Sequence, residues 1–137
     1  MRKIVLVSIL IAAVLASCAP KPPAVETIPV AGGSFRSVTP SGLNAMLKDK
    51  DFVFVNVHYP FAGDIAGTDV SIPYDQIDQQ LSLLPPEKSA KIFLYCRSGH
   101  MSTIAAETLV KLGYTNVWTL KGGMQAWEAA GLSLQNK

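Results

Sequence analysis

The segment KIFLYCRSGHMSTIAAETLVKLG, residues 91–113, contains the pattern that decides the fold. Residues 91–95 are apolar apart from Lys91, which is typical of a strand buried on both faces of a parallel sheet. From Ser102, apolar residues recur at helical spacing until Gly113, a residue suited to the left-handed position after a helix. The segment therefore predicts a strand, a short loop that begins at Cys96, and a helix.

The rest of the chain repeats this alternation of strands and helices. Residues 52–57 and 117–120 have the composition of two further buried strands. Thr39 and Pro40 suit the N-cap and the first residue of a helix. Such alternation indicates an α/β fold in which a mostly parallel central sheet carries helices on both faces. We predict that this single domain covers residues 34–137.

The N-terminal residues have a different composition. Arg2 and Lys3 precede an apolar stretch, residues 4–16, which is shorter than the roughly 20 residues of a transmembrane helix and is typical of a secretory signal. The stretch ends in Leu-Ala-Ser-Cys at residues 15–18, a tetrad that resembles the lipobox of bacterial lipoproteins. In those proteins the cysteine is lipidated and becomes the new N-terminus.

These features predict an exported protein that a lipid on Cys18 holds on a bacterial membrane, at the periplasmic face or the cell surface. Residues 1–17 would form the lipoprotein signal peptide. The Pro- and Gly-rich residues 18–33 would form a linker between the lipid and the domain. The alternative is a soluble secreted protein in which Cys18 has no role.

Charge and cysteine content exclude several classes of function. Without Arg2 and Lys3, ten basic side chains face ten acidic ones, and no basic run indicates a nucleic-acid partner. Cys18 and Cys96 lie in regions of different character, which argues against a structural disulfide. No group of Cys, His and carboxylates has zinc-like spacing, so we expect no metal site.

Cys96 is the candidate nucleophile of the domain. It ends a predicted strand, and in open α/β sheets ligands bind outside the carboxyl ends of strands. A tight loop at this place can turn several backbone N–H groups inward, and the next helix adds roughly half a positive charge at its N-terminus. Gly99 tolerates the positive φ that such a bend needs. Both electrostatic effects favour the thiolate of Cys96 over the thiol.

Several stretches, in order along the chain, resemble one known family, the rhodanese-like sulfurtransferases. Cys-Arg-Ser-Gly-His-Met-Ser at residues 96–102 looks like the active-site loop of that family, and residues 113–132 look like its closing signature. Val-Asn-Val-His at residues 55–58 lies where the family usually has Asp-Val-Arg. Gly-Asp-Ile-Ala-Gly-Thr at residues 63–68 resembles its Gly-His-Ile-Pro-Gly-Ala segment. The likeness covers about residues 34–134.

The resemblance implies a rhodanese-like fold and a sulfurtransferase. Cys96 would take the outer sulfur of a small anionic donor, thiosulfate or a polysulfide, and hold it as a persulfide. A thiol acceptor, small or on a protein, would then remove the sulfur without a metal or an organic cofactor. The implied substrate-binding residues are those of the loop: Arg97, Ser98, Gly99, His100, Met101 and Ser102.

The chain departs from the family pattern at three positions. Met101 stands where many active members carry a second arginine, which removes a permanent cation. Asn56 and His58 replace an Asp and an Arg, and we expect both to make hydrogen bonds around the site rather than to take part in the chemistry. These changes favour a less charged polysulfide or persulfide over the dianion thiosulfate as donor.

Three other functions compete with a sulfurtransferase. The departures from the pattern suit a non-catalytic sulfur-binding or interaction module. A phosphatase-like or arsenate-reducing relative would need a cysteine loop one residue longer with an arginine at its end, whereas Ser102 closes this loop. A redox sensor is expected to carry a resolving cysteine nearby, and the predicted domain has Cys96 alone.

Overall fold

A computed structural model describes residues 25–137 and shows a six-stranded sheet in the order β1-β2-β6-β5-β3-β4. The strands are β1 (Val25–Val30), β2 (Gly33–Val38), β3 (Val53–Asn56), β4 (Val70–Ser71), β5 (Ile92–Tyr95) and β6 (Val117–Leu120). The helices are α1 (Pro40–Met46), α2 (His100–Lys111) and α3 (Gly123–Ala129). Short 3₁₀ turns occupy Leu47–Asp49, Ile77–Gln79 and Leu81–Leu83. The predicted signal peptide and Cys18 lie outside the described residues.

The N-terminal end of the sheet differs from the sequence prediction. Residues 25–30 and 33–38 form an antiparallel hairpin, in which Val25 pairs with Val38 and Val30 with Gly33. The predicted linker over residues 18–33 is therefore wrong for residues 25–33, where the chain is part of the sheet. Pro29 is compatible with this arrangement because β1 is an edge strand, which tolerates a residue without an N–H donor.

Strands β2 to β6 run parallel to one another, and the helices cover both faces of the sheet as predicted. All four residues of β5 are buried, as expected for a central strand with apolar layers on each side. Alternate strand residues contribute to two apolar clusters. One contains Leu94 and the buried face of α2, and the other contains Phe93 together with residues of α1 and α3.

Local sequence signals explain where the helices begin. The Thr39 side chain accepts the N–H of Gly42 at 3.3 Å and caps α1, and Pro40 is its first residue. α2 starts at His100, two residues before the predicted start at Ser102, because Gly99 at φ +101° ends the cysteine loop and acts as the N-cap. Within residues 25–137, no helix combines the length and apolar character needed to cross a membrane.

Candidate active site

The cysteine loop begins at the carboxyl edge of the sheet. Cys96 directly follows β5, whose neighbours in the sheet are β3 and β6. Its side chain is a free thiol, the residue is only 1% exposed, and it belongs to the buried apolar cluster that contains α2. The topology therefore brings the loop after β3, the cysteine loop and the loop after β6 together around Cys96.

The sulfur atom of Cys96 contacts the loop and the first turn of α2. Sγ accepts the N–H of Gly99 at 3.0 Å. The thiol donates to the hydroxyl of Ser102 at 3.6 Å, and that hydroxyl donates to the carbonyl of Gly99 at 3.1 Å. In the described part of the chain, Gly99 supplies the one backbone N–H bonded to Sγ, where the sequence predicted several. A negative sulfur would be stabilised by this N–H and by the N-terminus of the 12-residue helix α2.

The backbone of the cysteine loop is held from outside by α3. The N–H of Met124 donates to the carbonyl of Cys96 at 2.9 Å, and the N–H of Gln125 donates to the carbonyl of Arg97 at 3.0 Å. Gly123 makes this approach possible, since a Cβ atom there would lie 2.5 Å from the carbonyl oxygen of Cys96. The glycine pair after β6 therefore lets α3 pack directly against the peptide group of Cys96.

A buried polar network holds the loop after β3. The side-chain amide of Asn56 donates to the carbonyl of Gly63 and to the carboxylate of Asp64, both at 2.9 Å. The hydroxyl of Tyr95 accepts the N–H of Ile65 at 3.0 Å and lies 3.3 Å from the same carboxylate. Burial raises the pKa of Tyr95 above its usual value, which keeps the hydroxyl neutral. The network fixes this loop beside Cys96.

His58 lies next to this network and is electrostatically coupled to the cysteine loop. Its backbone N–H donates to the side-chain oxygen of Asn56 at 3.1 Å. Its buried Nδ1 atom has no hydrogen-bond partner among residues 25–137. Burial lowers the pKa of His58 below its ordinary value, and the nearby guanidinium of Arg97 lowers it further. At neutral pH, His58 is therefore neutral and Arg97 supplies the positive charge.

This environment predicts a pH-dependent loss of stability. The folded state disfavours protonated His58, whereas the unfolded chain takes up that proton near pH 6.5. Below about pH 6.5 the unfolded state thus binds more protons, so His58 costs no stability above that pH, and the free energy of unfolding decreases as the pH falls from there towards the lowered pKa of the folded state. His58→Gln is expected to lose less unfolding free energy than wild type between about pH 7.5 and 5.5, measured by urea denaturation. Parallel profiles for the two proteins would contradict this environment.

The structure places the sequence-predicted residues at different depths. Arg97 and Ser98 are exposed on the loop, and His100 is exposed at the start of α2. Gly99 and Ser102 contact Cys96 as described above. Met101, which stands where many family members carry an arginine, is half-buried and packs against the apolar cluster around α2. The side chain of Asn56 bonds the loop after β3, and the Nδ1 atom of His58 has no hydrogen-bond partner among residues 25–137. A supporting role of these two residues for Cys96 stays a prediction.

Sequence reasoning missed Asp64 and Tyr95 as organising residues. In the sequence, Asp64 is one charged residue of the segment 63–68 and has no partner in view. In the structure its carboxylate contacts Asn56 and Tyr95, and its backbone pairs with Gln135. Tyr95 ends an apolar strand and gave no sign that its hydroxyl would be used. The described residues contain no cluster of three or more potential metal-ligating side chains.

Comparison with known proteins supports one family. The model of the Rhodanese-like domain family matches residues 39–130. A putative mitochondrial thiosulfate sulfurtransferase of Schizosaccharomyces pombe is 30% identical over an alignment of 92 residues, and the match covers 58% of this chain and 65% of that protein. The tRNA uridine(34) hydroxylase of Enterobacter sp. (strain 638) is 31% identical over 88 residues, which cover 60% of this chain.

Both relatives are longer than the matched region, which spans only 25% of the hydroxylase. Among solved structures, a rhodanese-related protein of Thermoplasma volcanium superposes with a TM-score of 0.60 at 28% identity, covering 72% of this chain and 95% of that one. The predicted fold is confirmed by this likeness. From the family match over residues 39–130 and this shared architecture, it follows that the chain belongs to the family of rhodanese-like domain proteins.

Proposed function

We propose that this protein is a sulfurtransferase that carries sulfane sulfur on Cys96, from a polysulfide or thiosulfate to a thiophilic acceptor. The observation that carries the proposal is the placement of Sγ at the head of a strand-to-helix loop, where it accepts the N–H of Gly99 at 3.0 Å. The S. pombe relative, a putative thiosulfate sulfurtransferase, supports the same activity. The matched region is only 25% of the tRNA uridine(34) hydroxylase, so we do not carry the activity of that longer protein over to this chain.

The proposed reaction has two steps and needs no oxidant. The Cys96 thiolate attacks the outer sulfur of the donor, the donor's S–S bond breaks, and its electron pair leaves with the remaining anion. Cys96 then holds a persulfide. An acceptor thiolate, or cyanide, attacks the outer sulfur, and the Cys96 thiolate leaves. This is covalent catalysis of the ping-pong type.

The charges around the loop favour donors with a low charge. Arg97 is the permanent cation of the loop, because residue 101 is a methionine and His58 is neutral at neutral pH. One guanidinium compensates a monoanionic hydropolysulfide better than the dianion thiosulfate. We therefore expect polysulfide to be the faster of the two donors.

A mass-spectrometric experiment tests the proposal. The full chain is incubated with inorganic polysulfide, and we expect the peptide that contains Cys96 to gain the mass of one sulfur atom. Cyanide should then remove that sulfur and release thiocyanate over many turnovers. A Cys96 peptide that gains no sulfur, with no thiocyanate formed, would contradict the proposal. Peptide mapping keeps any sulfur on Cys18 separate.

The second candidate is a sulfur-binding module without turnover. It is favoured by the 1% exposure of Cys96 and by the packing of Met101 against the core. The same experiment separates the two functions, because a module would load sulfur once and release no thiocyanate on repeated addition of donor. The location of either activity outside the cytoplasm, on a lipid at Cys18, remains a prediction from residues 1–18.

A further inference from the structure

Val25, the first residue that the structure describes, lies at the same edge of the sheet as the cysteine loop. The register pairs Val25 with Val38, the last residue of β2, and Val38 with Leu120, the last residue of β6. Because β6 runs parallel to β5, these residues mark the carboxyl edge of the sheet, where Cys96 follows β5. The domain is therefore joined to residues 1–24 at its active-site edge.

The length of chain between Cys18 and Val25 limits which edge of the sheet can face a membrane. The two residues are seven positions apart in the sequence, which spans at most about 25 Å when fully extended. A compact domain of about 110 residues has a radius of gyration of about 13 Å, which for a sphere is a diameter of about 34 Å. If a lipid is attached to Cys18, the opposite edge cannot rest on the bilayer, because Val25 would then lie beyond the reach of the chain.

Exposed apolar side chains are concentrated at this same edge. Five large apolar residues are exposed in the described part of the chain, and three of them, Val25, Tyr59 and Phe61, lie at the carboxyl edge. Tyr59 and Phe61 are 62% and 52% exposed in the loop after β3, and Phe61 borders the same cavity as Arg97. In the sheet order, the cysteine loop lies between this aromatic pair and Val25. Aromatic side chains are enriched where proteins meet the headgroup layer of a membrane.

The charges at this edge do not select a particular class of lipid. Charged side chains of both signs are exposed there: Arg97, Lys121, Lys137, Glu26, Asp75 and Glu128. Lys121 is paired with Glu26, and Lys137 with Glu128. Contact with a bilayer would therefore depend on the aromatic pair. A short tether would keep this pair at a high effective concentration near the membrane, so that a weak contact suffices.

We infer that the carboxyl edge of the sheet is a membrane-docking face, on which Tyr59 and Phe61 enter the headgroup layer of the bilayer that holds the lipid on Cys18. The inference rests on lipid attachment at Cys18 and goes beyond the proposed sulfur transfer. It places the cysteine loop against the membrane surface, between the tether and the aromatic pair. The opposite edge of the sheet faces away from the membrane.

Quenching of tryptophan fluorescence tests which edge touches the membrane. The protein is purified from bacterial membranes, its mass is checked for the lipid on Cys18, and it is added to preformed phosphatidylcholine vesicles. Half of the samples contain lipid with bromine on the acyl chains near the headgroups, where it quenches tryptophan at short range. The variant is Phe61→Trp. The matched control is Leu112→Trp, because Leu112 is 39% exposed and follows α2, which runs from the cysteine loop back to the amino end of β6.

The expected result is selective quenching at the carboxyl edge. The fluorescence that Phe61→Trp adds to the wild-type signal should fall by about half or more in brominated vesicles, since an interfacial aromatic side chain lies near the depth of the bromine. The fluorescence that Leu112→Trp adds should be the same in both kinds of vesicle. Wild-type protein in the same vesicles supplies the signal of Trp118 and Trp127, which is subtracted.

Two results would overturn the inference in different ways. Equal quenching of both variants, or no quenching of Phe61→Trp, in protein that carries the lipid would remove the docking face and leave the lipid anchor. A mass without the lipid would remove the anchor and the docking face together. Neither result bears on the uptake of sulfur by Cys96, which the mass of its peptide measures separately.

Discussion

Cys96→Ser is expected to lose sulfur transfer by about three orders of magnitude or more, because removal of a nucleophile leaves only the contribution of binding to the rate. A serine hydroxyl cannot form the S–S bond that stores sulfane sulfur between the two steps. The hydroxyl can still accept the N–H of Gly99, and the change hardly alters side-chain volume. We therefore expect the unfolding free energy to change by only about 1 kcal/mol.

The measurement is the initial rate of thiocyanate formation from polysulfide and cyanide, with urea denaturation of the same samples. Ser82→Ala, on an exposed 3₁₀ turn away from the cysteine loop, serves as the control and should keep both properties. A Cys96→Ser protein that turns over at the wild-type rate would exclude Cys96 as the sulfur carrier. If Cys96→Ser loses both its activity and its fold, the deciding measurement is the mass of the Cys96 peptide of the wild-type protein after treatment with polysulfide. That peptide must then carry the added sulfur.

Gly123→Ala is expected to destabilise the domain by roughly 2–5 kcal/mol, from left-handed backbone strain and from overpacking. Gly123 has φ +60°, which disfavours any residue with a Cβ. The added Cβ would also lie 2.5 Å from the Cys96 carbonyl oxygen and 2.6 Å from the carbonyl carbon and oxygen of Arg97. These are backbone atoms, so the clash can be relieved only if α3 or the cysteine loop moves.

Such a movement should also lower catalysis. Misplacement of a reacting group by about 1 Å can cost on the order of a hundredfold in rate, and the carbonyl of Cys96 is held directly by the amide of Met124. The matched control is Gly131→Ala, at the end of the same helix, with φ +80° and no atom within 4 Å of the added Cβ. It carries the backbone strain alone, so we expect a loss of about 1–2 kcal/mol and unchanged activity.

Urea denaturation and the thiocyanate assay distinguish these two glycines. Equal losses of stability for Gly123→Ala and Gly131→Ala would show that contact with the cysteine loop contributes nothing. A Gly123→Ala protein with wild-type activity would show that the position of Cys96 does not depend on α3.

The parts of the fold that could be predicted from the sequence are those that depend on residues close together along the chain. Residues 52–57, 91–95 and 117–120 are nearly continuous apolar runs, each with one polar residue, and the structure has strands within each of them. The start of α1 follows from the capping side chain of Thr39 and the fixed φ of Pro40. Cys96 could be placed at the carboxyl end of a strand because this needs only the order of one strand, one loop and one helix.

The hairpin of β1 and β2 could not be predicted in this way. Pro29, Gly32 and Gly33 give residues 18–33 the composition of a linker, and composition does not record a pairing partner. β2 pairs with β6 in parallel, so Arg36 lies opposite Trp118, although most of the domain's sequence separates the two residues. A contact between residues so far apart in sequence depends on the whole sheet being assembled.

By itself, the sequence determined the α/β class, the cysteine loop and the resemblance to a family, because helix periodicity, buried strands and a short motif are properties of neighbouring residues. Only the tertiary structure decided what surrounds Cys96. The Asp64–Tyr95 contact, the hydrogen bond from the Met124 amide to the Cys96 carbonyl and the pairing of Asp64 with Gln135 each join distant parts of the chain. The physical reason is that the burial of the sulfur and the electrostatic field at it depend on the distances to residues that only folding brings together. The order of residues along the chain does not contain those distances.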